Sequence, residues 1–356
     1  MIALRGGYSS GACAAAAAKA AVTLLCGAPP PETIEITLPD GSLVVFPVVS
    51  CHMVSCPLEG PTAQVAIRKD AGDDPDVTHR AYIVANVAFH ASHDVKFVAG
   101  EGVGTVTKPG LSVAPGEPAI NPVPRRMITE AIRAITPHGV QVTISIPGGR
   151  ELAARTFNPR LGIVDGLSVL GTTGRVRPFS LTALQEALKC ALSVAAASGV
   201  TTPVLVPGNI GERAARQHLR LTAEQVIQVS NHWGFMLDEA ARCSFVRLLA
   251  LGHPGKLAKL VDGVWDTHSS NSGSAVPTVA RVAATVLDSP LPESPTVEGM
   301  FSGLAIPQRA LLANALAAGI RRAIIDRIGP QKTAAVVLIN MSGEILGTDG
   351  DLEPWQ

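Results

Sequence analysis

A mixed fold in two domains is what this sequence predicts: an N-terminal α+β domain over residues 1–150, then an α/β domain over 151–356 with a Rossmann-like parallel sheet of about four βα units. Three observations lead there. The chain has 356 residues, more than one hydrophobic core usually organises. Its first half mixes strand and helix signals without a repeating rhythm. From about residue 150 the pattern becomes strand, small or polar turn, helix, repeated, which is how a parallel sheet covered by helices on its faces reads.

Composition narrows the class. Hydrophobic residues make up 47% and charged residues 16%, which excludes disorder and favours small, tightly packed side chains. Lys plus Arg and Asp plus Glu number 29 each, so no global field draws the protein to nucleic acid or to an anionic membrane. Acidic ligands must therefore be met locally. The six cysteines at positions 13, 26, 51, 56, 190 and 243 form no C-x-x-C pair and follow no export signal, so reduced thiols in the cytoplasm are expected. Cys51, His52 and Cys56 lack a second half-site, and no protein-bound metal is expected.

Taken in order, Ser9 or Ser10 caps a helix over Ala12–Leu25 that stops at Gly27, ahead of three prolines. Its alanine-rich run is too short, and carries Lys19, to cross a membrane. Strands over Ile34–Leu38 and Leu43–Val48 flank Pro39-Asp40-Gly41-Ser42, a hairpin turn sequence. Further strands are expected at Gln64–Lys69, Ala81–Phe89 and Gln141–Ile146, with a helix at Arg126–Ile135. The βα units pair Gly162–Leu170 with Leu181–Ser198, Pro203–Val206 with Glu212–Leu219, Gln225–Val229 with Phe235–Arg242, and Phe245–Ala250 with Gly255–Val261. A helix at Pro307–Arg327 and a strand at Ala334–Ile339, turning into Ile345-Leu346, close the chain.

The richest stretch is Phe157–Phe179, where an apolar run meets the turn Gly171-Thr172-Thr173-Gly174 and then Arg175 and Arg177. Glycine lets a backbone approach a ligand closely, and guanidinium groups grip acids. In a parallel sheet such turns share the carboxyl edge, where ligands dock, so this turn should join Pro207–Glu212, Ser230-Asn231-His232 and Gly252–Lys256. No Walker lysine and no G-x-G-x-x-G spacing accompanies it. Nucleotide triphosphate hydrolysis and nicotinamide chemistry are both disfavoured.

Lys69–His79, reading KDAGDDPDVTH, packs four acids and a histidine together. Either one carboxyl pKa rises through repulsion, or cations and donors sit among them. The loop reads as a solvated acidic turn or as a site where Asp74, Asp76 or His79 positions a proton. Gly100–Gly110 and Gly116–Arg126 are rich in glycine and proline and bring Lys108, Arg125 and Arg126, which face ligand or solvent. His268 stands without a matching Ser or Cys nucleophile motif, so a hydrolase triad has no support.

Arg5–Cys13 (RGGYSSGAC), KDAGDDPDVTH, EGVGTVTKPGL, GEPAINPVPRRM and NPRLGIVDGLSVLGTTGRVRPFS together resemble, in order, the signatures of the CbiD family of corrinoid biosynthesis. The resemblance runs from Leu4 to about His268. It implies methyl transfer from S-adenosylmethionine to carbon 1 of a ring-contracted tetrapyrrole, cobalt-precorrin-5B, giving cobalt-precorrin-6A. On that basis the donor is expected on Gly171, Thr172, Thr173, Gly174, Gly208, Asn209, Gly211 and Asn231. The macrocycle is expected between the domains, its carboxylates toward Lys108, Arg125, Arg126, Arg160, Arg175 and Arg177, with a weaker place for His268. Asp74, Asp76 and His79 are the proton-handling candidates. Ser9 and Ser10 replace the family's threonines, and Arg80 stands where the family commonly has glycine. The rival reading is a corrinoid-binding escort without catalysis; homo-oligomerisation stays open.

Overall fold

The computed structural model describes residues 4–56 and 60–356. They form two units, the first ending at Thr182 and the second beginning at Ala183.

In the first unit β1 (Gly7–Tyr8) leads into α1 (Ser10–Leu25). Ser9 caps this helix, its Oγ accepting the Ala12 N–H at 3.1 Å, as its residue type predicts. The alanine run is a core helix: Ala12–Ala18 are all at most 1% exposed. Side chains that small let α1 lie close across β2 (Thr33–Thr37), β3 (Leu43–Cys56), β4 (Gly60–Arg68) and β5 (Tyr82–Phe89). There follow β6 (Val95–Ala99), β7 (Thr105–Val106), α2 (Pro122–Arg133), β8 (Val140–Ser145), α3 (Gly149–Ala153), β9 (Ile163–Val164) and β10 (Arg175–Val176). The main sheet has the order β2-β3-β4-β5-β8-β6 and is antiparallel except that β6 runs parallel to β8.

Several expectations need adjusting here. The hairpin across residues 39–42 forms, but β3 continues well past Val48, bulging between Val48 and Ser50 to pair with β4. The edge strand β6 was not foreseen. Helix α2 starts at Pro122 rather than Arg126, because Pro122 and Pro124 sit in its first turn, where no N–H is needed.

The larger correction concerns Gly162–Leu170. Only Ile163–Val164 is strand, and it pairs antiparallel with β7 of the first unit. Gly162 (φ +74°) and Asp165 (φ +65°) break the extended run, while Leu167 and Val169 are buried in the first unit's core. β10 in turn pairs with β1.

The second unit comprises α4 (Leu181–Ala197), whose first two residues precede the division, then β11 (Val204–Val206), α5 (Asn209–His218), β12 (Val226–Gln228), α6 (Trp233–Arg242), β13 (Arg247–Gly252) and α7 (Pro254–Leu257). After α8 (Ser269–Ser272), α9 (Val276–Val286), α10 (Val297–Ser302) and α11 (Ile306–Ile328) come β14 (Thr333–Ile339) and β15 (Ile345–Asp349). The sheet order is β12-β11-β13-β14-β15, with the first four strands parallel and β15 antiparallel to β14. Three expected βα units are present. The fourth parallel strand is β14, arriving after α11, and not residues 162–170. From β11 the chain passes to one side, to β12, whereas from β13 it passes to the other, to β14. The order therefore reverses between β11 and β13, the kind of switch point beside which open α/β sheets place their ligands.

Candidate active site

In the first unit the signature segments meet at the start of α1. The Tyr8 N–H donates to the Asp70 carbonyl at 2.8 Å, Ser9 N–H to Gly174 O at 2.9 Å, and Gly11 N–H to Leu170 O at 3.0 Å. Ser10 Oγ accepts the Leu170 N–H at 3.0 Å. Glycines are required because the strands touch. A Cβ on Gly171 (φ +130°) would lie 2.3 Å from Ser9 Oγ, and one on Gly174 (φ +77°) 2.6 Å from Leu38 Cδ2. The Gly171–Gly174 turn is thus placed on the first unit and packs on its own protein. It does not share a sheet edge with Gly208, Asn209, Gly211 and Asn231, contrary to the sequence expectation; Thr172 and Thr173 are exposed.

The acidic loop resolves its repulsion through partners. Arg5 makes a two-pronged contact with Asp70 at 2.5 and 2.9 Å, which with the Gly72 N–H brings that carboxyl down to about 2. The Arg5 N–H donates to Asp73 at 2.6 Å, and the Phe179 N–H donates to Asp74 at 3.0 Å. Lys69, 2% exposed, places its ammonium 2.6 Å from Asp76 Oδ2, and Thr78 donates to Oδ1. Burial alone would raise the Asp76 pKa, but Lys69 and the Thr78 donors outweigh it and the net shift is downward. Of the two outcomes open to this loop, interleaved cations and donors is the one realised. Asp76 is accordingly a counter-ion held in place rather than an available base. His79 Nδ1 accepts the Ala71 N–H at 3.2 Å, which leaves the proton of a neutral ring on Nε2. Arg80 has φ +65°, a left-handed angle that glycine adopts freely and arginine meets under strain.

The cations divide by role. Arg125 is structural: Nε donates to Ile120 O at 2.8 Å, Nη2 reaches Glu117 and Pro118 O at 3.1 Å, and the guanidinium lies over the Phe97 ring. The Lys108 stem fills the space beside Gly162. Arg126 lies 3.8 Å from Glu130 and Arg160 is exposed. Arg175 Nη2 donates to Ser42 Oγ at 2.9 Å, with Nε 3.8 Å from Asp40. Arg177 is exposed and makes no side-chain hydrogen bond among the described residues. Beside the EGVGTV segment a cavity of about 400 Å³ is lined by Glu101, Gly102, Gly149, Arg150 and Asp165.

In the second unit the carboxyl edge carries Gly208, Asn209, Gly211 and Asn231, as expected. Gly252 sits against Pro207, where a Cβ would come within 3.0 Å of its ring, so the β11 and β13 turns adjoin at the reversal. Gly208 is different: nothing lies within 4 Å of its would-be Cβ. Gln228 Nε2 donates to Asn209 Oδ1 and Glu212 Oε2, both at 2.8 Å. Asn231 Oδ1 accepts from Lys256 Nζ at 2.8 Å and from Thr267 Oγ1 at 3.3 Å. Burial lowers the Lys256 pKa, and the charge of Lys259 lowers it further. His268 caps α8 and bonds Ser270 Oγ at 2.6 Å, a local structural task. Sequence reasoning passed over Lys69 and Arg5 as anchors and Lys256 and Lys259 as edge cations. The two edge lysines were within reach, since Lys256 closes a turn already singled out. Among the described residues no three His, Cys, Asp or Glu side chains converge as metal ligands.

The mixed sheets and helices of the two units define a protein of mixed α/β class. The CbiD family model matches residues 2–178, which lie within the first unit. A protein of Syntrophotalea carbinolica named cobalt-precorrin-5B C(1)-methyltransferase is 53% identical over 356 residues, covering 100% of both chains. One of the same name from Moorella thermoacetica is 40% identical, covering 97% of this chain and 95% of that one. Another, from Paraburkholderia phytofirmans, is 45% identical over 79% and 78%. A crystal structure of cobalamin biosynthesis protein (cbiD) from Archaeoglobus fulgidus is 27% identical, covers 75% of this chain and 83% of that one, and superposes with a TM-score of 0.39. The chain belongs to the CbiD family.

Proposed function

We propose that this chain transfers a methyl group from S-adenosylmethionine to C-1 of cobalt-precorrin-5B, giving cobalt-precorrin-6A. The observation that carries the reading is the 53% identity, over the full length of both chains, to a relative of that name. The chemistry suits the residues. An electron-rich ring carbon forms the new C–C bond as the methyl–sulfur bond breaks, and the electron pair neutralises the sulfonium. No protein nucleophile is needed, and alignment alone can lower the barrier by about 7 to 11 kcal/mol.

The Rossmann-like edge of the second unit takes the donor, on Gly208, Asn209, Gly211 and Asn231, because Gly208 opens onto free space at the switch point. The polyacidic macrocycle is held by first-unit cations, foremost the exposed residues Arg175, Arg177 and Arg126, together with Lys108, Arg160 and the hydroxyls of Thr172 and Thr173. Each charge-assisted hydrogen bond to a carboxylate contributes roughly 1.5 to 3 kcal/mol. Arg125 positions its loop. Proton handling falls to Asp74 and His79, Asp76 being held by Lys69.

Incubation with labelled S-adenosylmethionine and cobalt-precorrin-5B tests the reading: label should enter the tetrapyrrole, one methyl per ring. An escort protein would bind the tetrapyrrole and leave the donor untouched. Binding of the tetrapyrrole with no uptake of donor would replace the enzyme reading by that one.

A further inference from the structure

Lys259 is 5% exposed, yet among the described residues its ammonium meets neutral acceptors, the Thr267 carbonyl at 3.2 Å and Ser272 Oγ at 2.9 Å. Lys256 follows the Gly252–Pro254 turn, half-buried, with Asn231 Oδ1 as its partner. An ammonium has three N–H donors, so these contacts leave one proton of Lys259 and two of Lys256 unassigned. Neither lysine forms an ion pair among the described residues. The carboxylate whose charge reaches Lys259, Asp266, is itself occupied by the His268 N–H at 3.0 Å and Asn271 Nδ2 at 2.8 Å. Buried cations are ordinarily paired. Here two of them share one neighbourhood, each lowering the cost of admitting an anion, at the edge where the strand order reverses.

We propose that Lys256 and Lys259, oriented by Asn231, Thr267 and Ser272, form a carboxylate-binding subsite at the carboxyl edge of the second unit's sheet. The inference deepens the methyltransferase reading and rests on it. Two carboxylates share this chemistry: that of the donor's methionyl part, and that of an acetate or propionate arm of the macrocycle. Two guanidinium-free cations suit either, since an ammonium acts as a point charge and needs no planar fork. A carboxylate settled there also supplies an ion-pair partner that neither lysine has among the described residues.

The test uses full-length protein, Lys256→Gln and Lys259→Gln, with thermal melting as the check on folding. Calorimetry measures S-adenosylhomocysteine and 5′-methylthioadenosine, the second lacking the amino-acid carboxylate. Absorption titration measures cobyrinic acid and its heptamethyl ester, the second lacking free carboxylates. The expected result is a loss of at least tenfold for S-adenosylhomocysteine in Lys256→Gln with methylthioadenosine unchanged, which assigns the donor. The same loss confined to cobyrinic acid assigns a macrocycle arm and also supports the subsite. Wild-type protein binding both acids, with Lys256→Gln binding them equally well, overturns the subsite and leaves the function standing. Wild-type protein binding none of the four overturns both. Should Lys259→Gln fail to fold, Lys256→Gln decides, because its side chain is only half-buried.

Discussion

Lys69 and Asp76 show how a residue that looks catalytic in sequence becomes a support in space. Removing the carboxylate strands a buried ammonium, so Asp76→Asn should cost about 3 kcal/mol, at the low end because Asp76 keeps 23% of its side-chain exposure. Denaturant midpoints should show that loss, while Asp74→Asn, at a carboxylate that accepts the Phe179 N–H, should stay within about 0.5 kcal/mol. Acid should act through the same loop. Asp70 titrates at about 2 instead of the ordinary 3.8, so its stabilisation is intact above the ordinary value and lost as pH falls through about 2; Asp76 shifts in the same direction and adds to that loss below the ordinary value. Asp70→Asn should flatten that part of the pH–stability curve; an unchanged slope would put the acid sensitivity elsewhere. Arg80→Gly should stabilise by roughly 0.5 to 1 kcal/mol, since relief of a left-handed φ is offset by the entropy glycine adds to the unfolded chain.

Among the elements, the Gly171–Gly174 turn was legible as special but not as to why. Its glycines permit contact with Ser9 and Leu38, so Gly171→Ala should destabilise the first unit by about 2 kcal/mol or more, visible as a lower melting temperature with no ligand present. If the variant melts like wild type and only loses ligand, the packing account fails. Helix α1, the hairpin across residues 39–42 and the strands β11 to β14 were readable because caps, turn residues and apolar runs are local signals. Gly162–Leu170 misled because a short apolar run reads alike whether it enters a parallel sheet or lines a loop core. Its positive φ angles at Gly162 and Asp165 have no unambiguous signature in sequence.

For the whole molecule, the proposed division of ligand chemistry between two units is what substitution can test. Gly208 has an extended backbone that any residue adopts, and open space at its Cβ, so Gly208→Val should fold normally. It should nonetheless weaken S-adenosylhomocysteine at least tenfold and leave corrinoid affinity alone, whereas Arg177→Ala should do the reverse. Equal losses in both variants would end the division. The sequence by itself determined the family and the mixed α/β class, because long ordered motifs and composition survive in one dimension. Only the tertiary structure decided which unit carries the glycine turn, which acids are already neutralised by Lys69 and Arg5, and that Lys256 and Lys259 form no ion pair among the described residues. Those outcomes depend on pairings between residues far apart in the chain, and charge, packing and backbone angle are settled only when the partners arrive.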